Sequence, residues 1–350
     1  MWFTPNVMRR PPTVTDKYGE DPDIGAHRMR AVRHATEMNH TATARRRRIA
    51  MLVFDGVRAL DVTGPLEVFD VARALRCNYS VEIYSTANTN SVRCSSGLTL
   101  SATPVSALAS EEIDTLLVPG GECLVADDVP HHLKREVRSR AGSARRVAAI
   151  CAGSFALAAA GLLDGRRATT HWRYLEAFAA RHPSTLVDRE SVYTRDGAVW
   201  TSAGVAAGID LALALVSDDY GAGVAQEISK DMVMLGRRME GHPQISVAAR
   251  TPRPKHPELE RLVATVNAEP AGHYELERVA AQLGISPRHL ARLFKAQVGV
   301  TLRQYVHDVR LENAVGLVLA GESFHAAARR SGLRNGARVR DCLAAVRVPS

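Results

Sequence analysis

Cys151 is the residue of this chain best suited to covalent chemistry. It directly follows the apolar run 147–150 and precedes a segment of small residues, beginning at Ser154, that is typical of a tightly packed helix. A cysteine between a buried strand and a helix lies near the positive end of the helix dipole, which favours a reactive thiolate. Gly120 and Gly121 end a neighbouring predicted strand, where their N–H groups could bind an anion or a carbonyl oxygen. This pattern predicts a small-molecule pocket with Cys151 as its candidate nucleophile.

A second set of residues is suited to bind DNA. Apolar residues recur at helical spacing from Leu276 to Leu283, and Gly284 then allows a left-handed turn. Ser286 followed by Pro287 is typical of the start of a second helix. The outer face of that helix supplies the candidate contacts, Ser286, Arg288, His289, Arg292 and Lys295, with Arg288 and Arg292 expected at base edges and Lys295 at a phosphate. We therefore predict a helix-turn-helix, and a helical hairpin with a solvated basic face is the alternative.

The net charge of +8 on this 350-residue chain is concentrated at its two ends. Residues 1–48 hold 10 Lys and Arg against 5 Asp and Glu, and residues 255–350 hold 14 against 9. The part between them is slightly acidic. Contact with nucleic acid is therefore expected of an end of the chain, and the C-terminal end carries the predicted helix-turn-helix.

The five cysteines are scattered and have no C-x-x-C spacing, so neither a zinc site nor a disulfide framework is indicated. We expect no metal, no cofactor and a reducing, cytoplasmic location. No apolar run is long enough to span a bilayer, and the N-terminus lacks the apolar core of a signal peptide. A membrane partner is therefore not expected.

The order of the predicted elements divides the chain. Strands that alternate with helices favour an α/β fold, a flavodoxin-like sandwich around a parallel sheet. We predict a disordered basic tail at residues 1–47, a sensor domain of this fold at 48–240, a proline-rich linker at 241–257, and an all-α domain with two helix-turn-helix units at 258–350.

Some local elements are specific enough to be tested one by one. A helix is expected from Pro65 to about residue 75, and another at 223–238. Asp196 and Gly197 predict a tight hairpin.

The C-terminal part resembles the AraC/XylS-type DNA-binding domain, on the motif ISPRHLARLFKAQVGVTLRQYVHDVRLENAVGLVL. The resemblance implies a second helix-turn-helix at 324–346, with Arg334, Asn335 and Arg338 as its DNA-binding candidates. That unit departs from the family, since Gly332 and Leu333 stand where Gly-Phe is usual and Asp341 replaces a customary arginine. We therefore expect the first unit to carry most of the sequence recognition.

The first domain looks like the class I glutamine-amidotransferase-like group that includes Pfp-type peptidases and isonitrile hydratase. The segments that carry this likeness are 61–69, 116–122, 150–172 and 201–216. Its fusion to an AraC-type module resembles the GlxA family of transcriptional regulators. The resemblance implies a ligand pocket formed by Asp61, Gly120, Gly121, Cys151 and, as a weaker candidate, His171, with Asp61 as the acidic residue that approaches the cysteine.

The same resemblance argues against turnover. Ala152 stands where Pfp-type peptidases have histidine and isonitrile hydratase has threonine, so a catalytic partner for Cys151 is not evident. We expect a DNA-binding transcriptional regulator that senses a small effector, with amine- or amide-bearing compounds as candidates, and that forms a homodimer. The alternatives are a cysteine-dependent hydrolase or hydratase with an accessory basic domain, and redox sensing by a low-pKa Cys151.

Overall fold

The computed structural model describes residues 46–108, 113–234, 236–319, 321–337 and 339–341. The predicted tail lies almost entirely outside these residues, as do Arg338 and Cys342. Within the described residues, no helix is long and apolar enough to cross a membrane.

Residues 47–234 form an α/β domain. Its strands are β1 (Arg47–Val53), β2 (Tyr79–Ser85), β3 (Ser91–Arg93), β4 (Thr99–Ser101), β5 (Thr103–Pro104), β6 (Thr115–Val118), β7 (Arg146–Ile150), β8 (Arg167–Ala168), β9 (Leu186–Val187), β10 (Tyr193–Asp196) and β11 (Val199–Ser202). Its helices are α1 (Ala59–Ala74), α2 (Cys123–Ala126), α3 (His131–Ala141), α4 (Gly153–Ala159), α5 (Leu175–Arg181), α6 (Ala206–Tyr220) and α7 (Ala222–Asp231).

Seven strands form the main sheet, in the order β10-β11-β7-β6-β1-β2-β5. All neighbours are parallel except β10 and β11, which form the predicted hairpin. After the polar residues at their starts, strands β1, β6 and β7 are continuous apolar runs. Such runs are expected of strands that are covered by helices on both faces of the sheet. This architecture confirms the predicted parallel α/β sandwich.

The register of the sheet decides where the functional residues meet. Val118 of β6 pairs with Ala149 of β7, and Ile150 pairs with Ser202 of β11. The segments that follow β6, β7 and β11 therefore leave the sheet side by side at one edge, which is where ligands bind in open α/β sheets.

Two local predictions were wrong at their boundaries. Helix α1 begins at Ala59, six residues before Pro65, because its first turns are buried against α6 and Gly64 lies against Ile209. Helix α7 ends at Asp231, well before residue 238, since Val233 adopts a left-handed conformation with φ of 55°.

The C-terminal domain is helical, as expected. Its helices are α8 (Val247–Arg250), α9 (Pro257–Ala268), α10 (Leu276–Gln282), α11 (Pro287–Val298), α12 (Leu302–Leu319) and α13 (Phe324–Arg330), and residues 337 and 339–341 are also helical. Helix α12 contributes Val306 and Val309 to a core formed with α9–α11, and Ala314 and Val315 to a second core formed with α13. It therefore connects the two helix-turn-helix units.

Candidate functional site

Cys151 occupies a sharp turn between β7 and α4. Its φ of 56° is left-handed, a conformation that a non-glycine residue adopts at a cost of about 1–2 kcal/mol. Two hydrogen bonds hold the turn: the Cys151 N–H donates to Ser202 O at 2.9 Å, and the Thr170 hydroxyl donates to Cys151 O at 2.8 Å. The predicted position of Cys151 between a buried strand and a helix is therefore present. We call this turn the elbow; β11 and the segment after β8 hold it in place.

Two glycines make room for the elbow. A Cβ on Gly120 would lie 2.7 Å from Cys151 Cβ and 2.9 Å from Asp61 Oδ2. A Cβ on Gly204 would overlap Cys151 Cβ, and the φ of Gly204 is +84°. Gly120 was predicted to belong to this pocket. Gly204 was missed, although it lies in the segment after β11 that carries the family likeness.

Asp61 is fully buried in the first turn of α1 and faces the elbow. Its carboxylate accepts hydrogen bonds from the Gly120 N–H at 3.1 Å and the Val205 N–H at 2.8 Å, and it lies close enough to the Cys151 thiol for the two groups to shift each other's pKa. Burial raises the pKa of Asp61 to about 6, although these donors and the Arg58 guanidinium oppose the shift. The structure thus brings Asp61 and Cys151 together.

The thiol itself is not the reactive thiolate predicted from the sequence. Cys151 is only 2% exposed, and burial raises its pKa well above the ordinary value, with the Asp61 carboxylate adding to the shift. The Ala152 N–H and the positive charge of Arg58 lower the pKa by less than burial raises it. Desolvation outweighs the helix end, so Cys151 is a protonated thiol at neutral pH. The premise of redox sensing by a low-pKa thiol is therefore wrong.

The expected anion-binding role of the two glycines also needs correction. The Gly120 N–H donates to Asp61, so a ligand would have to displace the protein's own carboxylate to reach it. Gly121 is buried, and a Cβ on it would lie 2.5 Å from the carbonyl oxygen of Gly56, so this glycine allows close packing. The correction therefore applies to Gly120, and anion binding by the Gly121 N–H stays a prediction.

Charged and aromatic side chains lie close to one another and within electrostatic reach of Cys151. Arg58 Nη2 lies 3.1 Å from Glu122 Oε1, and Tyr174 hydrogen-bonds to the same carboxylate. The ring of His171 lies 5.6 Å from that of Trp172 and 5.3 Å from that of Tyr174, measured between centroids. We refer to Arg58, Glu122, His171, Trp172 and Tyr174 as the pocket rim.

His171 is therefore placed at the rim and not as a base for the thiol. Its Nδ1 accepts a hydrogen bond from the Arg173 N–H at 3.3 Å. Burial and the positive charges of Arg58 and Arg173 lower its pKa, so the imidazole is neutral at pH 7. Arg58, Glu122 and Tyr174 were missed in the sequence. Each lies within three residues of a motif residue, but only the fold turns their side chains toward one another.

The first helix-turn-helix has the geometry that the sequence predicts. Gly284 makes the turn with a φ of +65°, and Ser286 caps α11 by accepting a hydrogen bond from the His289 N–H at 3.2 Å. Leu290, Phe294 and Val298 bury one face of α11. The predicted DNA contacts all lie on the exposed part of this unit: Ser286, Arg288, His289, Arg292 and Lys295.

The second unit is described only in part. Helix α13 is capped by Ser323, and Gly332 makes the turn with a φ of +76°. Arg334 and Asn335 are exposed beyond that turn. Val339 is buried in the second core.

In the described part of the chain, no group of three or more His, Cys, Asp and Glu side chains is arranged to hold a metal ion.

Comparison with known proteins agrees with this division into two kinds of site. The model of the DJ-1/PfpI family matches residues 47–218, and the model of a helix-turn-helix domain matches residues 279–345. The HTH-type transcriptional regulator GlxA of Rhizobium meliloti is 32% identical over 226 residues, which are 64% of this chain and 68% of that protein.

Two further relatives match shorter stretches. Isonitrile hydratase of Pseudomonas putida is 36% identical over 185 residues, which are 51% of this chain and 74% of that enzyme. A protein described as "Uncharacterized protein in cpoL 5'region", from Streptomyces lividans, is 44% identical over 142 residues, 41% of this chain and 99% of that protein.

Proposed function

This chain belongs to the family of transcriptional regulators that join a DJ-1/PfpI domain to an AraC-type helix-turn-helix domain, and from that premise we propose how it works. The Cys151 pocket binds a small effector without converting it, and the first helix-turn-helix reads the operator. We propose that the protein acts in the cytoplasm.

The basic face of α11 supports the assignment of DNA reading to the first unit. Arg288, Arg292 and Lys295 are exposed on one side of a helix whose other side is held in the core. Guanidinium groups can bind guanine edges with two hydrogen bonds, so Arg288 and Arg292 read bases while Lys295 binds phosphate. This exposed face is the observation that carries the proposal. Arg334 and Asn335 of the second unit add contacts to the sugar-phosphate backbone of the DNA.

The pocket rim supports a polar effector. Arg58 and Glu122 present opposite charges beside the rings of Trp172 and Tyr174, and Trp172 is about half exposed. A cationic or amide nitrogen can bind the carboxylate of Glu122 and the face of an aromatic ring. We therefore propose an amine- or amide-bearing effector, held at the rim and above the Asp61–Cys151 pair.

The state of the thiol supports binding without turnover. A protonated, buried thiol is a poor nucleophile, and the polar groups beside it are Asp61, Arg58 and the Ala152 N–H, none of which is a strong base. Among the described residues, the hydrogen bond shown for the His171 ring is to the Arg173 N–H and not to Cys151.

We also propose a homodimer joined through the sensor domains. Two DNA-binding modules on one dimer would engage a repeated site, whose half-site spacing follows from the geometry of the dimer. Sedimentation of the full chain tests this, and a monomer at micromolar concentration would contradict it.

Selection from a pool of random-sequence duplex DNA tests the regulator proposal. We expect the full chain to enrich a defined motif at a fixed salt concentration. A variant with Arg288→Ala, Arg292→Ala and Lys295→Ala should not enrich it. Absence of any enriched motif, or equal enrichment by the triple variant, would overturn the assignment of DNA reading to this face.

One specific observation favours a second candidate, a hydrolase or hydratase. The buried pair of Asp61 and Cys151 brings an acid and a thiol together, and the relative that is an isonitrile hydratase matches over most of its length. This candidate requires product formation that depends on Cys151.

A further inference from the structure

Residues 241–247 connect the sensor domain to the DNA-binding domain through hydrogen bonds at both ends. Near the sensor domain, the Val192 N–H donates to His242 O at 2.6 Å, and the Gln244 N–H donates to Glu190 O at 2.9 Å. At the other end, Val247 is buried in the core of the first helix-turn-helix unit. The segment predicted as a linker is therefore anchored to both domains.

The side chain of Gln244 reaches the loop that holds the elbow. Its Nε2 donates to Thr169 Oγ1 at 2.9 Å and to Thr170 O at 3.0 Å. The hydroxyl of Thr170 in turn donates to Cys151 O at 2.8 Å. Both threonines are fully buried. One threonine thus separates Gln244 from the backbone of the cysteine.

On the other side, the segment is attached to α12 by the packing of Val247 and by the carboxylate of Glu312. The Val247 N–H lies 3.0 Å from Glu312 Oε2 and 3.2 Å from Glu312 Oε1. Glu312 lies between the part of α12 that packs in the first core and the part that packs in the second. A movement of residues 241–247 therefore acts on the helix that joins the two DNA-binding units.

Two buried polar atoms of this segment, Gln244 Oε1 and His242 Nε2, have no hydrogen-bond partner among the described residues. Leaving such an atom unpaired costs about 1–3 kcal/mol, so these two atoms lower the free energy needed to move the segment.

We propose that Gln244 and Glu312 couple the Cys151 pocket to the DNA-binding domain, so that the state of the pocket changes the position of α12 and with it the spacing of the two helix-turn-helix units. The inference rests on the proposed function, since it needs DNA and an effector as the two ligands. Coupling is reciprocal, so binding of DNA must also change the pocket. This reciprocity allows a test without a known effector.

The test measures how fast iodoacetamide alkylates Cys151, by mass spectrometry, in the full chain with and without saturating duplex DNA from the selection described above. Cys77, a buried cysteine near the opposite edge of the sheet, is the internal reference. We expect DNA to slow alkylation of Cys151 by about fivefold or more, the lower end of typical allosteric coupling, with no change at Cys77.

The variants separate coupling from general damage. Gln244→Ala and Glu312→Ala should each reduce the DNA effect to less than about twofold, well under typical coupling. Glu312→Gln keeps an acceptor for Val247 and should preserve it, as should Gln226→Ala, which changes an exposed glutamine of α7. Melting temperature verifies that each variant is folded.

The outcomes distinguish the inference from the proposed function. If the wild type binds DNA but Cys151 reacts equally fast with and without it, the coupling is absent and the regulator proposal stands. If Gln244→Ala and Glu312→Ala respond to DNA like the wild type, any coupling does not run through these two side chains, so the inference is overturned and the regulator proposal stands. If the wild type binds no DNA at all, the proposed function fails and the inference fails with it.

Discussion

Asp61 and Cys151 meet beside Gly120: a Cβ on that glycine would lie 2.9 Å from Asp61 Oδ2 and 2.7 Å from Cys151 Cβ, and both residues are buried. Burial raises the pKa of Asp61 to about 6, and burial together with the Asp61 carboxylate raises the pKa of Cys151. At neutral pH the pair is therefore a protonated thiol beside a carboxylate, which is suited to binding.

The first prediction concerns pH. The carboxyl of Asp61 titrates near 3.8 in the unfolded chain and near pH 6 in the fold, so the folded state holds an extra proton between these values. Stability from Asp61 is complete below pH 3.8 and is lost as pH rises through 6, by about 3 kcal/mol in total.

Asp61→Asn cannot titrate and should lack this loss. Urea unfolding at pH 4, 5, 6 and 7, followed by the fluorescence of Trp172 and Trp200, gives the difference in free energy of unfolding between wild type and variant. Comparing the two cancels the titration of other carboxylates. A difference that stays constant from pH 4 to pH 7 would show that Asp61 has an ordinary pKa.

The second prediction concerns DNA recognition. Arg292→Ala should weaken binding to the selected duplex by about 1–3 kcal/mol, because it removes a two-hydrogen-bond contact to a base. Gel shift at a fixed salt concentration measures the effect. Arg261→Ala, which removes an exposed arginine from α9, is the matched control and should bind like the wild type. Equal affinities for the two variants would exclude Arg292 as a reader of bases.

The third prediction separates the regulator from the enzyme. Cys151→Ala should leave DNA affinity unchanged in the absence of effector, because it removes the thiol but keeps the backbone carbonyl of residue 151, which accepts the hydrogen bond from Thr170. Neither the wild type nor the variant should release product from an amide or an isonitrile. Turnover by the wild type that disappears in Cys151→Ala would establish the enzyme instead.

The fourth prediction concerns the packing of the elbow. Gly204 and Gly97 have nearly the same φ, +84° and +89°, but only Gly204 has Cys151 in the place of a Cβ. Gly97→Ala should cost about 1–2 kcal/mol, the left-handed strain alone. Gly204→Ala adds a buried overlap and should cost about 1–3 kcal/mol more. Thermal unfolding measures both losses of stability. Equal losses would mean that the turn at Cys151 moves to accommodate the added Cβ at little cost in free energy.

Much of this protein follows from local patterns. The apolar runs before Asp55, Pro119 and Cys151 predict buried strands because the spacing of side chains along a strand needs no tertiary information. The first helix-turn-helix is equally local: the glycine turn, the Ser286 cap and the apolar face of α11 all lie within one short stretch. The start of α1 could not be predicted in this way, because burial against α6 decides it.

The sequence by itself determined the two-domain plan, the parallel sheet, the position of Cys151 at a strand–helix turn and the basic face of α11. Only the tertiary structure decided the state of the thiol, since its pKa depends on burial and on Asp61, a residue 90 positions away in the chain. It also decided that Gly120 serves Asp61 and that Gln244 meets Thr169 and Thr170. Desolvation and long-range hydrogen bonds arise from packing between distant segments, and no local pattern encodes them.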